Sequence, residues 1–365
     1  MILDRSTKLV GMLDLARQEG LEIGPLDHPL VDKSLGKISY LDHASIAELK
    51  EKYASDPSVS LERIVSLDYV AGGRPLPEAV AGRKFDYVIA SHVIEYVPDM
   101  IGFLKEAAQI LRVDGFLSLA IPDKRYSFDY FRKDTLLADL IDAHLRHLRH
   151  PSSRQVFDHF VNARHVSCTD AWSGPLHEQM VPHAHTIEDA WQKARAVSES
   201  DRYPDCHCQV FTPASFFSLL RGLFELDLVD LKVSQFWATA PNESEFFVTL
   251  RRLSADHETE TKRSAQLDSL PPPEIISACA SVCWPDRNKG VLLGSRFGGF
   301  DGKIFYVRGP LRYKVVEVQW ALDAGFQWPA DIIWAVDDDI AAYRLASGPP
   351  PSAELVRGLC REQAD

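Results

Sequence analysis

An imidazole at the mouth of a ligand cleft can take a proton from a hydroxyl near neutral pH, and this chain offers two in suitable places. His92 follows the apolar run Val88-Ile89-Ala90 in FDYVIASHVIEYVPD, with Ser91 before it and Glu95 after it. His207 precedes Thr212-Pro213, which read as a helix cap and first-turn proline. Asp123, directly after the run ending at Ile121 and Pro122, is a third candidate for the same task. His207 is the first choice, because the helix that follows it should start at the same edge as Ser91 and His92. Asp205 stands two residues before it and could orient its ring.

Groups for holding a second molecule lie close by in the chain. Lys124 and Arg125 follow Asp123 and could bind an acidic or hydroxyl-rich acceptor, or pair among themselves. In HAHT, Thr186 with Asp189 forms a capping box, which puts His183 and His185 at the mouth of a helix. They could bind an acceptor oxygen or a metal, or be an ordinary loop with two exposed rings. The aromatics Tyr126, Phe128, Tyr130, Trp172 and Tyr203 interleave with charges, which suits a sugar ring or, equally, the core of a lid. Of 13 histidines, those from His144 to His207 make this stretch unusually rich in groups that titrate near neutrality.

A second series of polar residues ends successive apolar runs: Glu22 in LEIGP, with Gly24 and Pro25, then Asp42 in ISYLD, then Asp68 in IVSLD, with Tyr69 beside it. A carboxylate at the end of a second parallel strand can accept two hydrogen bonds from a vicinal diol, as dinucleotide folds hold ribose. An isolated Asp42 would as readily start a turn before the helix at Ser45. Three acidic strand ends in order favour the ligand reading.

Positioning these residues requires strands alternating with helices. Strands are expected at Leu21–Pro25, Ile38–Asp42 and Ile64–Asp68, through Val88-Ile89-Ala90 in the stretch that starts at Phe85, with Ser91 following its end, and at Phe116–Ile121, with helices from Ser45 to Tyr53 and Met100 to Leu111 and a turn at Asp114-Gly115. After about 85 residues without this rhythm, a helix over Phe216–Phe224 leads to strands near Leu228–Phe236 and Glu245–Leu250. The loop between those two is too short for a parallel crossover, so they should pair antiparallel. The expected fold is α/β: a doubly wound, mostly parallel seven-stranded sheet with its last strand antiparallel, a helical insertion after strand five and a small C-terminal β-containing module.

This arrangement and the motifs LEIGP, ISYLD, IVSLD and SHVIEYV resemble class I S-adenosylmethionine-dependent methyltransferases over roughly Leu21 to Leu253. The resemblance implies S-adenosylmethionine as cofactor. Glu22, Gly24 and Pro25 would form the first motif, Asp42 would hold the ribose hydroxyls, Asp68 and Tyr69 would lie by the adenine, and Ser91 would lie along the methionine moiety. More specifically the chain resembles methyltransferase-like proteins associated with bacterial glycan synthesis. It departs from the family's acidic-x-Gly-x-Gly-x-Gly loop, with Leu26 and His28 at the second and third glycine positions. Glycines let backbone approach a ligand closely, so these replacements change or narrow the pocket. S-adenosylmethionine carries no phosphate, so the weak glycine loop counts against a nicotinamide cofactor more than against this one.

The domain organisation expected is a methyltransferase domain over 1–253 with the insertion 124–210 as substrate lid, a linker over 254–274, an accessory module over 275–346 and a tail over 347–365. The linker reading rests on the charged, polar and then proline-rich run SADHETETKRSAQLDSLPPPE. The module holds CWPD and GGFDGKIFYVRG, the latter read as a turn at Asp301-Gly302 leading into a strand; through GFQWPADI and the acidic run Asp337 to Asp339 it resembles small accessory modules attached to glycan-active proteins, and it could bind a protein partner or glycan. Neither Cys206-His207-Cys208 nor Cys279 with Cys283 has zinc-site spacing, so reduced thiols are expected and metal dependence is left open.

The formal charge of -12 disfavours a nucleic-acid partner, and no apolar stretch has the length of a membrane span. The start MILDRSTKLVGM has no secretory pattern, so a cytoplasmic location is expected. The function expected is O-methylation of a sugar or glycan precursor, a small-molecule or glycan acceptor, with a histidine general base. The alternatives are a catalytically silent protein that binds glycan or a glycosyltransferase partner, and a nicotinamide-dependent oxidoreductase.

Overall fold

The computed structural model describes residues 4–173, 176, 178–199, 204–240, 242–254, 259–272 and 275. Beyond these it describes 291–295, 304–308, 311–315, 317–323, 332–335, 344–345, 350 and 352. Tyr203, CWPD, the Asp301-Gly302 turn, Cys279, Cys283 and Asp337 to Asp339 lie outside the described residues.

Seven strands form one sheet: β1 (Glu19–Ile23), β2 (Lys37–Asp42), β3 (Tyr69–Val70), β4 (Phe85–Ser91), β5 (Leu111–Pro122), β6 (Leu231–Trp237) and β7 (Glu245–Arg252). Their order is β3-β2-β1-β4-β5-β7-β6, with β7 antiparallel to both β5 and β6 and the first five strands parallel. This is the Rossmann-like methyltransferase arrangement. Successive side chains of a strand point to opposite faces, and β4 shows it. Val88 and Ala90 join the large core with helices α4 (Met100–Ile110) and α9 (Pro213–Glu225), while Tyr87 and Ile89 pack with Val31, Ile38 and Tyr40 on the other face.

The helix signals act as their chemistry requires. Ser45 and Glu48 make a reciprocal capping box ahead of α2 (Ile46–Lys52), and Thr212 caps α9, whose first residue is Pro213. Strand three differs from expectation. Residues 64–67 lie outside any strand, because the Val65 amide donates to the Leu26 carbonyl in the loop after β1, and only Tyr69 and Val70 pair with Leu41 and Asp42. The Asp114-Gly115 turn is absorbed into β5 as an irregularity, where Asp114 has φ +66° and the pairing with β4 shifts between Phe85 and Tyr87.

The insertion carries α5 (Leu137–Leu145), α6 (Ser153–Asn162), α7 (Cys168–Ser173) and α8 (Ile187–Glu199). α6 and α8 bury Val156, Phe160, Ala190 and Ala194 with Cys206 and Cys208 in a small core of their own. Short α1 (Arg5–Val10) lies against β5 and β7, tied by the Ser118 hydroxyl to the Leu9 carbonyl at 2.6 Å. Helix α3 (Leu76–Ala79) leads into β4.

The segment read as a linker contains α10 (Thr259–Asp268). Its buried Gln266 donates to the carbonyls of Val229 and Leu231, and the Ser269 hydroxyl accepts from Val233, so the segment packs on β6. A second sheet follows, from β8 (Val291–Ser295), β9 (Ile304–Arg308), β10 (Leu311–Val315), β11 (Ile332–Ala335) and β12 (Arg344–Leu345), with α11 (Val318–Asp323). Leu292, Ile304 and Tyr306 belong to the same apolar cluster as the first sheet's core. Among the described residues no helix is long and apolar enough to cross a membrane.

Candidate active site

Parallel strands end in a row where their last side chains and the following turns face one edge, and the strand order reverses there between β1 and β4, the place where open α/β sheets bind ligands. Gly24 turns the chain out of β1 with φ +70°, and a Cβ on it would meet Val93 Cγ2 at 3.2 Å. Leu26, at the second glycine position, holds φ +45°, so the loop keeps a left-handed conformation there and adds a side chain. Glu22 is buried and binds this loop back on itself, accepting from the amides of Leu30 at 2.8 Å and Val31 at 3.2 Å. Burial pushes its carboxyl up to about 7 against those two hydrogen bonds.

Asp42 ends β2 with its side chain buried and Oδ1 held by the His43 amide and ring at 2.7 and 2.6 Å. Its other oxygen has no hydrogen-bond partner among the described residues. A cavity of about 350 Å³ adjoins this position, between His43, Ala71, Gly72, Gly73, Val97 and Phe103, with Leu148 and Arg149 of the insertion over it. The His43 ring that holds Asp42 lines this cavity, so a ribose and a base would find there a largely apolar slot open to glycine backbone, with Asp42 the preceding residue in the chain. These residues, with the close backbone approach at Gly24, fit the cofactor that the sequence implies.

Two residues expected at the adenine lie elsewhere. Asp68 precedes β3 instead of ending it, and its carboxylate accepts from the Tyr40 amide and Lys33 Nζ, both at 2.8 Å. Tyr69 packs partly against the core and its hydroxyl accepts from Arg83. The carboxyl end of β3 is instead Ala71-Gly72-Gly73. Ser91 does end β4, where its hydroxyl is bound by Arg5.

The turn after β4 is sharp: His92 has φ +52°, and its amide donates to the Ala120 carbonyl of β5 at 3.0 Å. Its Nε2 pairs with Glu245 Oε2 at 2.7 Å, and Arg5 binds the same carboxylate at 2.6 Å. Desolvation opposes the charged ring, but the Glu245 hydrogen bond and the Glu95 and Glu245 charges outweigh it and raise the His92 pKa. Glu245 is held at about 2: its hydrogen bonds to His92 and Arg5 overcome a larger opposing desolvation.

His207 lies buried at this edge with Nδ1 2.6 Å from Asp129 Oδ2. Asp129, also buried, accepts from Arg132 at 2.7 Å, and Arg132 in turn binds the His207 carbonyl at 2.9 Å and Asp158 at 2.8 Å. Burial opposes the Asp129 charge, but the His207 and Arg132 charges and hydrogen bonds hold it at about 2. The rings of Tyr96 and Phe128 flank His207, each with its centroid 4.7 Å away. With Nδ1 fixed by a carboxylate, Nε2 is the position left to exchange a proton, and it has no hydrogen-bond partner among the described residues. Asp129, not Asp205, orients the ring; Asp205 pairs with Lys52 of α2 at 2.7 Å.

Asp123 is fully buried and committed to Arg125 at 2.6 Å and Thr239 at 2.7 Å, so it joins strands and insertion and is not available as a base. Lys124 is bound to the Arg132 carbonyl and lies 3.3 Å from Asp134, inside the insertion. His183 Nδ1 is held by the Val161 carbonyl at 3.0 Å. His185 lines a cavity of about 560 Å³ with Phe128, His159, Arg164, His165 and Asp170. Phe128 thus has one face toward that cavity and its ring beside His207. Tyr126 and Trp172 stack at 4.0 Å as part of the insertion's frame. The sulfurs of Cys206 and Cys208 are 4.0 Å apart and free, and among the described residues no cluster could hold a metal ion.

The family model described as a methyltransferase domain matches residues 12–222. The chain belongs to this family. Solved structures similar to it include a SAM-dependent methyltransferase from Methanosarcina mazei, 14% identical, covering 67% of this chain and 95% of that one with a TM-score of 0.34. One from Clostridium acetobutylicum is 8% identical, covers 68% and 91%, and has a TM-score of 0.35. Magnesium protoporphyrin IX methyltransferase from Synechocystis, solved with bound SAH, is 11% identical, covers 68% and 80%, and has a TM-score of 0.30. No curated protein matches the chain.

Sequence reasoning missed Asp129, Arg132, His159, Arg5 and Glu245. Asp129 sits in FDYF, one residue after an aromatic that flanks His207, but nothing in its spacing announces a partner 78 residues on. Gly72-Gly73, just past the short β3, was the one local signal for the slot beside Asp42.

Proposed function

We propose that this S-adenosylmethionine-dependent methyltransferase methylates a hydroxyl of a sugar or glycan precursor, with His207 as general base. Bound in the cleft, the cofactor supplies an electrophilic methyl group for in-line transfer. The chain's own residues would do the rest: Asp42 accepts from the ribose hydroxyls, the turn at Gly24 lets backbone come close, and His207 takes the acceptor proton at Nε2. The buried Asp129–His207 pair is the observation that carries this reading, since a carboxylate on Nδ1 fixes the ring and stabilises the imidazolium formed when Nε2 is protonated. The acceptor class is supported by the cavity beyond Phe128, where an aromatic face and polar imidazoles stand together as a sugar ring's apolar face and hydroxyl rim require.

The test has two stages. Calorimetry should first show that the protein binds S-adenosylmethionine. Labelled methyl transfer to nucleotide sugars and glycan precursors should then identify an acceptor whose turnover His207→Ala abolishes. Binding without transfer to any acceptor would instead favour the silent, glycan-binding alternative.

A further inference from the structure

Glu95 is the most anomalous polar residue of the site. It is 1% exposed, in the 3-10 turn Ile94–Tyr96 that follows β4, and neither carboxyl oxygen has a hydrogen-bond partner among the described residues. Leaving a buried polar group unpaired is costly, so its retention at a ligand edge calls for a role.

Its surroundings define that role. His92 Nδ1 lies 3.5 Å from Glu95 Oε1, just beyond hydrogen-bonding distance, and the side chain of His92 is 42% exposed. On the far side of that ring, Nε2 meets Glu245 of β7, which Arg5 of α1 also binds. From the insertion, the charges of His207 and Asp129 act on Glu95, and its backbone carbonyl is tied to the Gln209 amide at 3.0 Å, two residues from His207. Burial raises its pKa, so the carboxyl retains a proton to higher pH than an exposed glutamate does. Glu95 thus lies beside a solvent-accessible imidazole, and Tyr96, the next residue, packs edge-on against the buried ring of His207 at 4.7 Å.

A base that is 4% exposed must lose the proton it has taken before it can act again. We infer that Glu95 is the positioning residue that joins His207 to His92 and gives a proton at His207 its route to water. The inference rests on the reading of His207 as the base. The proton balance is simple. Glu95 passes the proton it carries to His92 Nδ1, His92 releases one to water, and imidazolium His207 refills the Glu95 carboxylate. The net change is one proton from His207 to solvent, with no bond broken other than N–H and O–H.

The test needs no acceptor. In the full-length chain labelled with 15N-histidine, exchange of the His207 ring proton with water is measured by NMR across pH 6 to 8. Glu95→Gln, which keeps shape but cannot relay, should slow this exchange by about 10-fold. His92→Asn, which removes the next carrier while leaving Glu95 in place, should slow it similarly and provides the test if Glu95→Gln does not fold. Exchange at the natural rate in either folded variant would overturn the inference. Failure of the base assignment is read separately, as labelled-methyl transfer that persists in His207→Ala.

Discussion

The cofactor side of the cleft and the insertion that covers it use buried charge in opposite ways. On the sheet side, Glu22 is spent on backbone amides of one short loop, and Asp42 keeps an oxygen free, so the strand ends present a preformed surface. On the insertion side, Asp129, Arg132, Asp158, His159 and His207 bind one another across segments far apart in the chain. His159 shows the consequence. Burial and the Arg132 charge push its pKa down to about 3, so it stays neutral and accepts from the His207 amide at 3.2 Å. A site made of strand ends is specified locally, whereas one made of paired charges exists only once the insertion has folded.

The sharpest way to break this comparison is at His207. His207→Ala should lower turnover by about 100-fold or more and leave cofactor affinity nearly unchanged, because the ring belongs to the insertion side alone. Parallel kinetics and calorimetry check both halves. Equal losses in the two would mean that the sides are not separable.

Asp129→Asn probes the pairing itself. The variant takes from the buried Arg132 its buried charged partner, leaving only the half-exposed Asp158, and breaking such a buried pair costs about 3 kcal/mol. The sign with pH follows from the direction of the shift. Asp129 is depressed in the folded protein, so its contribution is present above the unfolded value near 4 and is lost as pH falls toward 2. Urea unfolding should therefore separate natural protein and variant at pH 7 and bring them together near pH 2. A gap that stays constant with pH would show that Asp129 acts through packing rather than charge.

On the opposite side, Asp42→Ala should weaken S-adenosylmethionine binding by about 1 to 3 kcal/mol, the cost of a lost charged hydrogen-bond partner. Calorimetry on a folded variant decides it, and an unchanged affinity would remove the ribose assignment.

This contrast also explains what could be read before the structure. Glu22, Asp42 and Ser91 were legible because short apolar runs and the polar or capping residues after them locate strand ends to within a residue or two. Asp68 misled because its strand is only two residues long, and the apolar run before it pairs with the Leu26 loop instead. Within the insertion, His207 was legible from its place before α9, but its partner was not. The contact between Asp129 and His207 depends on how α5 to α8 pack, which no local pattern encodes. For the same reason Asp123, Lys124 and Arg125 looked available in sequence, yet Asp123 and Lys124 are spent on holding the insertion to the sheet and to itself, and Arg125 is paired with Asp123.

The smallest expected effect lies in the loop whose glycines are replaced. Leu26 keeps φ +45°, a conformation that costs a non-glycine residue on the order of 1 kcal/mol. Leu26→Gly relieves that cost but gives up a half-buried side chain and adds freedom to the unfolded chain, so the net change in stability should stay within about 1 kcal/mol. Gly24→Ala makes the contrasting change, because φ +70° strains any residue with a Cβ and the Val93 methyl, 3.2 Å away, must give by a few tenths of an ångström. Cofactor affinity should therefore fall clearly in Gly24→Ala and shift by only about threefold in Leu26→Gly. That pair of titrations asks whether the loop works through its backbone path, which Leu26 preserves, or through an open surface, which Leu26 would block. A large gain in affinity from Leu26→Gly would mean that the leucine narrows the pocket, and that this side of the cleft is less preformed than its strand ends imply.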